Sequence, residues 1–223
     1  MTVLSDISIR DLCTGEFITR WTEPVEWDMR GNVKTERSLG ELRNHSGKPM
    51  IAPFVDRSVK VDDQGNPIIS YGLSSYGYDI RLSNRFRLFT KPNDGRVIDP
   101  KSSNHDDFSE AVVADTIVIP PGGLLLGHSV ETFSIPREVM VVCLGKSTYA
   151  RCGALVNVTP LEPEWEGELV IEITNGTNLP LKIYAHEGIA QLMFHVGDRE
   201  CETSYKDRGG KYQGQSGVTL ARI

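Results

Sequence analysis

From residue 59 to 194 the chain is a succession of short runs in which apolar and polar residues alternate, cut at roughly ten-residue intervals by turn-forming residues. That rhythm constrains the fold more than any other feature. Side chains of a strand point alternately to its two faces, so Tyr78, Ile80 and Leu82 share one face and Asp79 and Arg81 the other. Many short strands of this kind bury their apolar faces in a sandwich, a jelly roll or a barrel. The pattern predicts strands at 59–61, 67–71, 78–82, 86–89, 97–100, 116–119, 124–127, 128–133, 139–144, 154–158, 168–174, 179–184 and 189–194. Asn175-Gly176-Thr177-Asn178 reads as the turn of a hairpin between 168–174 and 179–184. The 21 glycines and 12 prolines suit turns between strands better than a helical protein. Gly72 and Gly77 mark places where the backbone turns tightly or approaches another segment closely.

Before residue 50 the rhythm is absent. Residues 5–14 read as a short helix. Ser5 or Asp6 can cap it, Ile9, Leu12 and Cys13 fall on one side, and Gly15 can end it. Between 16 and 49 charges alternate with single apolar residues, broken by Gly31, Gly40 and Gly47. This reads as an insertion or extended arm, with a helical turn or two at 36–43. Trp21 and Trp27 suggest that part of it packs against something. The expected organisation is a helix within 1–15, an arm at 16–49 and a β domain at 50–223, whose tail begins near 200.

The net charge of −6 argues against binding polymeric nucleic acid, yet leaves room for one nucleotide held by a few local cations. No apolar run approaches the about 18 residues of a membrane span, and no signal peptide is expected. Cys13, Cys143, Cys152 and Cys201 form no CxxC pair, and free thiols in a cytoplasmic protein are expected.

Two stretches could carry chemistry. In GKSTYARCG, residues 145–153, backbone N–H groups and the hydroxyls of Ser147 and Thr148 could converge on phosphate, with Lys146 and Arg151 supplying charge. With no Walker-type spacing present, the pattern alone favours a strand-to-helix turn with solvated charges. Glu172 is a lone carboxylate within Leu169, Val170, Ile171 and Ile173. It lies either on a solvated face or in a semi-enclosed cleft, where a raised pKa would let it shuttle protons. The HxE…PCxxC signature of zinc deaminases is missing, so no protein-held metal is expected. No GxSxG marks Ser147 as a hydrolase nucleophile. The glycine-rich tail RGGKYQGQSG is either a frayed end or a flap that folds over a ligand, with Tyr205, Lys211, Tyr212 and Gln215 as its contacts.

Taken together, GKSTYARCG, NVTPLEPEWEGEL (157–169), the strand ending in Glu172, EGIAQLMF (187–194), CETSYKDRGGKYQGQSGVTL (201–220) and SYGLSSYGYDIR (70–81) resemble the dCTP deaminase family of the dUTPase superfamily. The resemblance runs from 50 to 220 and includes the 5–14 helix. The segment 15–49 is longer than in usual members and unmatched. What the resemblance implies is a mainly β subunit, a distorted β-barrel or jelly roll of the dUTPase-like type with a short N-terminal helix. It implies a homotrimer with active sites between subunits, closed by the C-terminal tail. The implied reaction is zinc-independent hydrolytic deamination of dCTP to dUTP and ammonia, with Mg²⁺ arriving on the substrate triphosphate.

Residue by residue, Glu172 matches the proton-shuttling glutamate, and Ser147 and Arg151 match the residues that position the water and steady Glu172. Lys146, Ser147, Thr148, Tyr149, Ala150 and Arg151 would cradle the nucleotide. Val170 and Ile171 would line base and sugar. Loop carbonyls near Thr159 would help orient the water. Gln191, Tyr205, Lys211 and Gln215 match nucleotide-contacting positions. The loop 159–165 departs from the dUTPase pattern, with Glu162 the nearest counterpart of the aspartate that helps water attack the α-phosphate there. A bifunctional deaminase-diphosphatase giving dUMP, a preference for dCMP or a 5-substituted cytosine nucleotide, and a non-catalytic nucleotide-binding regulator stay open as alternatives.

Overall fold

The computed structural model describes residues 2–16, 18–21, 29–30, 39–42, 44, 46–89, 97–101 and 105–222. Sixteen strands and two α-helices follow in chain order: β1 (Thr2–Val3), α1 (Asp6–Thr14), β2 (Ile18–Trp21), β3 (Leu39–Leu42), β4 (Ile51–Ala52), β5 (Ser58–Val61), β6 (Pro67–Ser74), β7 (Gly77–Arg81), β8 (Arg85–Phe89), β9 (Ser109–Val113), β10 (Thr116–Ile119), β11 (Leu124–Ser134), β12 (Val139–Gly145), α2 (Ser147–Arg151), β13 (Ala154–Asn157), β14 (Glu166–Asn175), β15 (Leu181–Tyr184) and β16 (Gly188–Val196). A 3₁₀ turn, His105–Phe108, precedes β9.

One sheet runs β1-β16-β7-β6-β5 with β12 also on β16, and the other runs β13-β14-β11-β8-β9 with β4 on β11. The sheets share one core, in which Tyr78, Phe86, Phe133 and Phe194 are the largest fully buried side chains. The result is a distorted jelly roll whose ladders, among the described residues, do not close into a barrel. Helix α1 forms as its sequence requires. Ser5 is extended at the N-cap, Gly15 takes a left-handed φ of 87° at the end, and Ile9, Leu12 and Cys13 are the buried residues. No helix among the described residues is long and apolar enough to cross a membrane.

The two glycines noted in 70–81 earn their place by close approach. At Gly72, with φ of 97°, a Cβ would sit 2.1 Å from the Arg57 carbonyl oxygen, and at Gly77 one would sit 2.5 Å from that of Leu192.

Four sequence expectations need correction. Residues 39–42, within the span expected to be helical, form strand β3 and pair antiparallel with β2; Gly40 weakens a helix at this point. The remainder of 36–43, and Trp27, lie outside the described residues. Residues 97–100 pair with no strand among the described residues, and Val97 is 80% exposed. The runs 124–127 and 128–133 are one strand, β11, with a register shift between His128 and Thr132. Finally, 175–178 is not a hairpin turn. Strand β14 pairs with β11 and β13, and β15 pairs with β10. The buried Asn175 carries the chain from the six-stranded sheet of β14 to the two-stranded β10-β15 sheet, its Nδ2 donating to the carbonyls of Ile119, Pro120 and Leu179 and its Oδ1 accepting from Thr177.

Candidate active site

Strand β14 alternates strictly. Leu169, Ile171 and Ile173 face the core, while Glu168, Val170 and Glu172 are half-buried on the opposite face. That face borders a cleft of about 780 Å³. Leu124 and Leu126 of β11, Met140 of β12 and residues 158–163 form its walls, and Tyr205, Lys211, Tyr212 and Gln215 of the tail line it from the other side. Of the three carboxylates on β14, Glu172 is the one that lines this largely apolar cleft.

Glu172 bears the consequence. Its Oε2 is buried and has no hydrogen-bond partner among the described residues. Burial pushes its carboxyl from the ordinary 4.5 up to about 7, and its own backbone N–H offsets this only in part. A carboxyl balanced near neutrality can take up a proton and give it back without a large penalty either way. Cys143 lies close enough to feel the charge, and its thiol is pushed up to about 12, chiefly by burial and then by Glu172.

The structure gathers six of the expected residues, Glu172, Val170, Thr159, Tyr205, Lys211 and Gln215, around this one cleft. The tail is folded rather than frayed. Trp165 Nε1 donates to the Tyr212 carbonyl at 3.0 Å, and the Tyr212 N–H donates to the Tyr205 hydroxyl at 3.0 Å. Arg208 pairs with Glu162, and Lys211 Nζ donates to the Arg222 carbonyl at 2.6 Å. Arg137 reaches both Glu164, at 2.5 Å, and Asp207, at 2.7 Å, and so joins the cleft loop to the tail.

The other expected residues lie elsewhere in the chain. Ile171 is fully buried in the core, so its side chain cannot line the base and sugar. Tyr149 is likewise a core residue, its hydroxyl accepting from the Tyr184 N–H at 3.0 Å, so it anchors α2 instead of meeting a nucleotide. Lys146 caps α2, but its ammonium is held by the buried Asp79. Gln191 donates to the Ser74 hydroxyl at 3.2 Å in the same sheet as Asp79. Ser147, Thr148, Ala150 and Arg151 stand exposed on α2, where Arg151 Nη1 donates to the Ser147 carbonyl at 3.1 Å. Neither Ser147 nor Arg151 is bonded to Glu172, and neither lines its cleft. Within one chain the expected residues thus fall in two separate places.

Sequence reasoning missed Met140, Leu126 and Trp165 as cleft walls, and Asp79 as the partner of Lys146. It also passed over Glu168, although that residue shares a strand face with Glu172. Among the described residues no three His, Cys, Asp or Glu side chains gather closely enough to hold a metal ion.

The family model for dCTP deaminase-like proteins matches residues 43–197. The chain is 51% identical over 190 residues to a dCTP deaminase of Acinetobacter baumannii (strain AYE), covering 85% of this chain and 98% of that protein. It is 53% identical over 191 residues to a dCTP deaminase of Pseudomonas fluorescens (strain Pf0-1), with 86% and 99% covered. Among solved structures, a 2′-deoxycytidine 5′-triphosphate deaminase from Agrobacterium tumefaciens superposes with a TM-score of 0.50 at 15% identity. That match covers 87% of this chain and 48% of the other, so the chain spans about half of that structure's length, and the likeness speaks to the fold alone.

Proposed function

Because this chain belongs to the dCTP deaminase family, we propose that its cleft deaminates dCTP by hydrolysis, giving dUTP and ammonia. The observation that carries this to a mechanism is Glu172, which lines the cleft and has one carboxylate oxygen buried with no hydrogen-bond partner among the described residues. Ionised Glu172 takes a proton from water as the oxygen adds to C4 of the cytosine, and passes that proton to N3. In the tetrahedral adduct the new hydroxyl gives its proton through Glu172 to the amino group. Ammonia leaves, and C4 becomes a carbonyl. One water is consumed for each ammonia released.

Ser147 and Arg151 orient the water and steady Glu172 in this scheme, with loop carbonyls near Thr159 beside them. What supports a homotrimer with sites between subunits is the division of the constellation. Ser147, Thr148 and Arg151 are exposed on their own chain, where a second copy's cleft can meet them. Lys211 and Gln215 of the tail supply contacts to the nucleotide. Mg²⁺ comes with the triphosphate. The residues present fit an ion ligated by phosphate oxygens, since Glu162, the carboxylate beside Pro163, is already engaged by Arg208. Four free cysteines, two of them buried, support a cytoplasmic setting.

Incubation with dCTP, dCMP and dUTP in Mg²⁺, following ammonia and pyrophosphate, tests the proposal. Ammonia and dUTP from dCTP, without pyrophosphate, are expected. Pyrophosphate with dUMP would establish a bifunctional enzyme, and nucleotide binding without ammonia would establish a regulator.

A further inference from the structure

Glu168 is bound to the C-terminal tail by both its backbone and its side chain. Its N–H donates to the Gln215 carbonyl at 2.9 Å, and its own carbonyl accepts from Gln215 Nε2 at 2.9 Å. Its Oε2 accepts the Gly217 N–H at 2.6 Å. The same oxygen lies 3.0 Å from Nδ1 of His128, the residue opposite Val170 on β11. Nδ1 is also 3.0 Å from the Ser129 carbonyl, and since both of its neighbours are acceptors it must carry the proton. His128 is 7% exposed and therefore cannot swing away to water. Beyond these backbone bonds, the Glu168 carboxylate thus ties the tail to His128 on the central strand β11. The tied segment contains Tyr212 and Gln215 and follows Lys211, all of which line the cleft.

We propose that Glu168, backed by His128, is a positioning residue that latches residues 212–217 of the tail over the cleft and so sets the affinity for the nucleotide. Its part in turnover rests on the dCTP reading above, but the latch itself does not. Glu168 touches no reacting atom in this scheme. Its loss therefore weakens the binding of substrate and transition state alike, raising KM and leaving kcat nearly unchanged.

The test uses full-length protein and two variants, Glu168→Ala and Glu168→Gln. Ammonia release is measured against dCTP concentration in Mg²⁺, and amide hydrogen exchange is measured on the free proteins. Glu168→Ala should raise KM about tenfold, as expected for losing one charge-assisted hydrogen bond, and should speed exchange across 212–217 by a similar factor. Amides of β11 and β14 should keep their protection. Glu168→Gln, whose side-chain oxygen can still accept from Gly217, should recover most of both. A Glu168→Ala protein with unchanged KM and unchanged tail exchange would overturn the latch. So would a fall in kcat at constant KM, or a loss of protection that spreads through β14. If wild-type protein releases no ammonia from dCTP, it is the substrate reading that fails, and the exchange measurement still decides the latch.

Discussion

Replacing Glu172 with glutamine should inactivate the protein and at the same time stabilise it, with a stabilisation that depends on pH. The carboxyl titrates at about 7 in the folded chain instead of its ordinary 4.5, because burial disfavours the anion. Below pH 4.5 both folded and unfolded chains are protonated here, and the group makes no difference. As pH rises from 4.5 through 7 the unfolded chain ionises freely while the folded chain resists, so stability is lost across that window and is then level. With each pKa unit worth about 1.4 kcal/mol, the loss approaches about 3 kcal/mol at pH 8. Partial exposure of Glu172 brings a realistic figure to about 1–3 kcal/mol. Glutamine has nearly the same shape and no charge, so it escapes this loss. Denaturant unfolding of wild type and Glu172→Gln, at equal protein concentration and without ligand, should give nearly equal stabilities at pH 4.5 and a variant ahead by that margin at pH 8. Turnover should fall by at least about a thousandfold, since one group serves as both base and acid. A variant that is destabilised equally at both pH values would show that Glu172 is not buried against its charge. One that keeps near-normal ammonia release would remove it from the mechanism.

Three further outcomes follow from the same geometry. The kcat/KM for dCTP should rise with pH to a plateau along a limb near pH 7, because the free protein must carry ionised Glu172 to accept the water's proton; a flat profile from pH 5.5 to 9 would contradict it. Under the proposed trimer with sites between subunits, co-expressed Arg151→Ala and Glu172→Gln chains, each inactive alone, should regain part of the wild-type activity, since a mixed assembly would then join the intact Arg151 of one chain to the intact Glu172 of another; no recovery would count against sites between subunits. Asp79→Ala should lower stability by about 3–5 kcal/mol by leaving the Lys146 ammonium buried and unpaired, and adding Lys146→Met should restore much of it in a thermal melt.

The sheets were legible because burial of one strand face writes a period of two into the sequence. Helix α1 was legible because its buried side and terminal glycine are local signals, although Ser5 at the N-cap makes no side-chain capping bond. Glu172 stood out for the same reason, as a carboxylate in an apolar run whose alternation put it with Val170 on a second face. What could not be read depended on partners distant in the chain. Lys146 looks like a phosphate ligand until Asp79, 67 residues away, is seen beside it. Tyr149 and Ile171 sit inside matched motifs, but their side chains turn into the core. The segment after β14 has the composition of a hairpin turn, yet Asn175 spends its side chain on the carbonyls of Ile119 and Pro120, which local pattern does not reveal. Glu168 differs from Glu172 only by its neighbours, and its role emerges once Gly217 and His128 are placed against it.

Turnover of dCTP in H₂¹⁸O, with mass analysis of base and phosphate fragments, tests the central claim most directly. The mechanism through Glu172 predicts one ¹⁸O in the base of the dUTP product for each ammonia released, none in the phosphates, and no labelled product from Glu172→Gln. Label in a phosphate fragment with an unlabelled base, or a labelled base from Glu172→Gln at the wild-type rate, would contradict it.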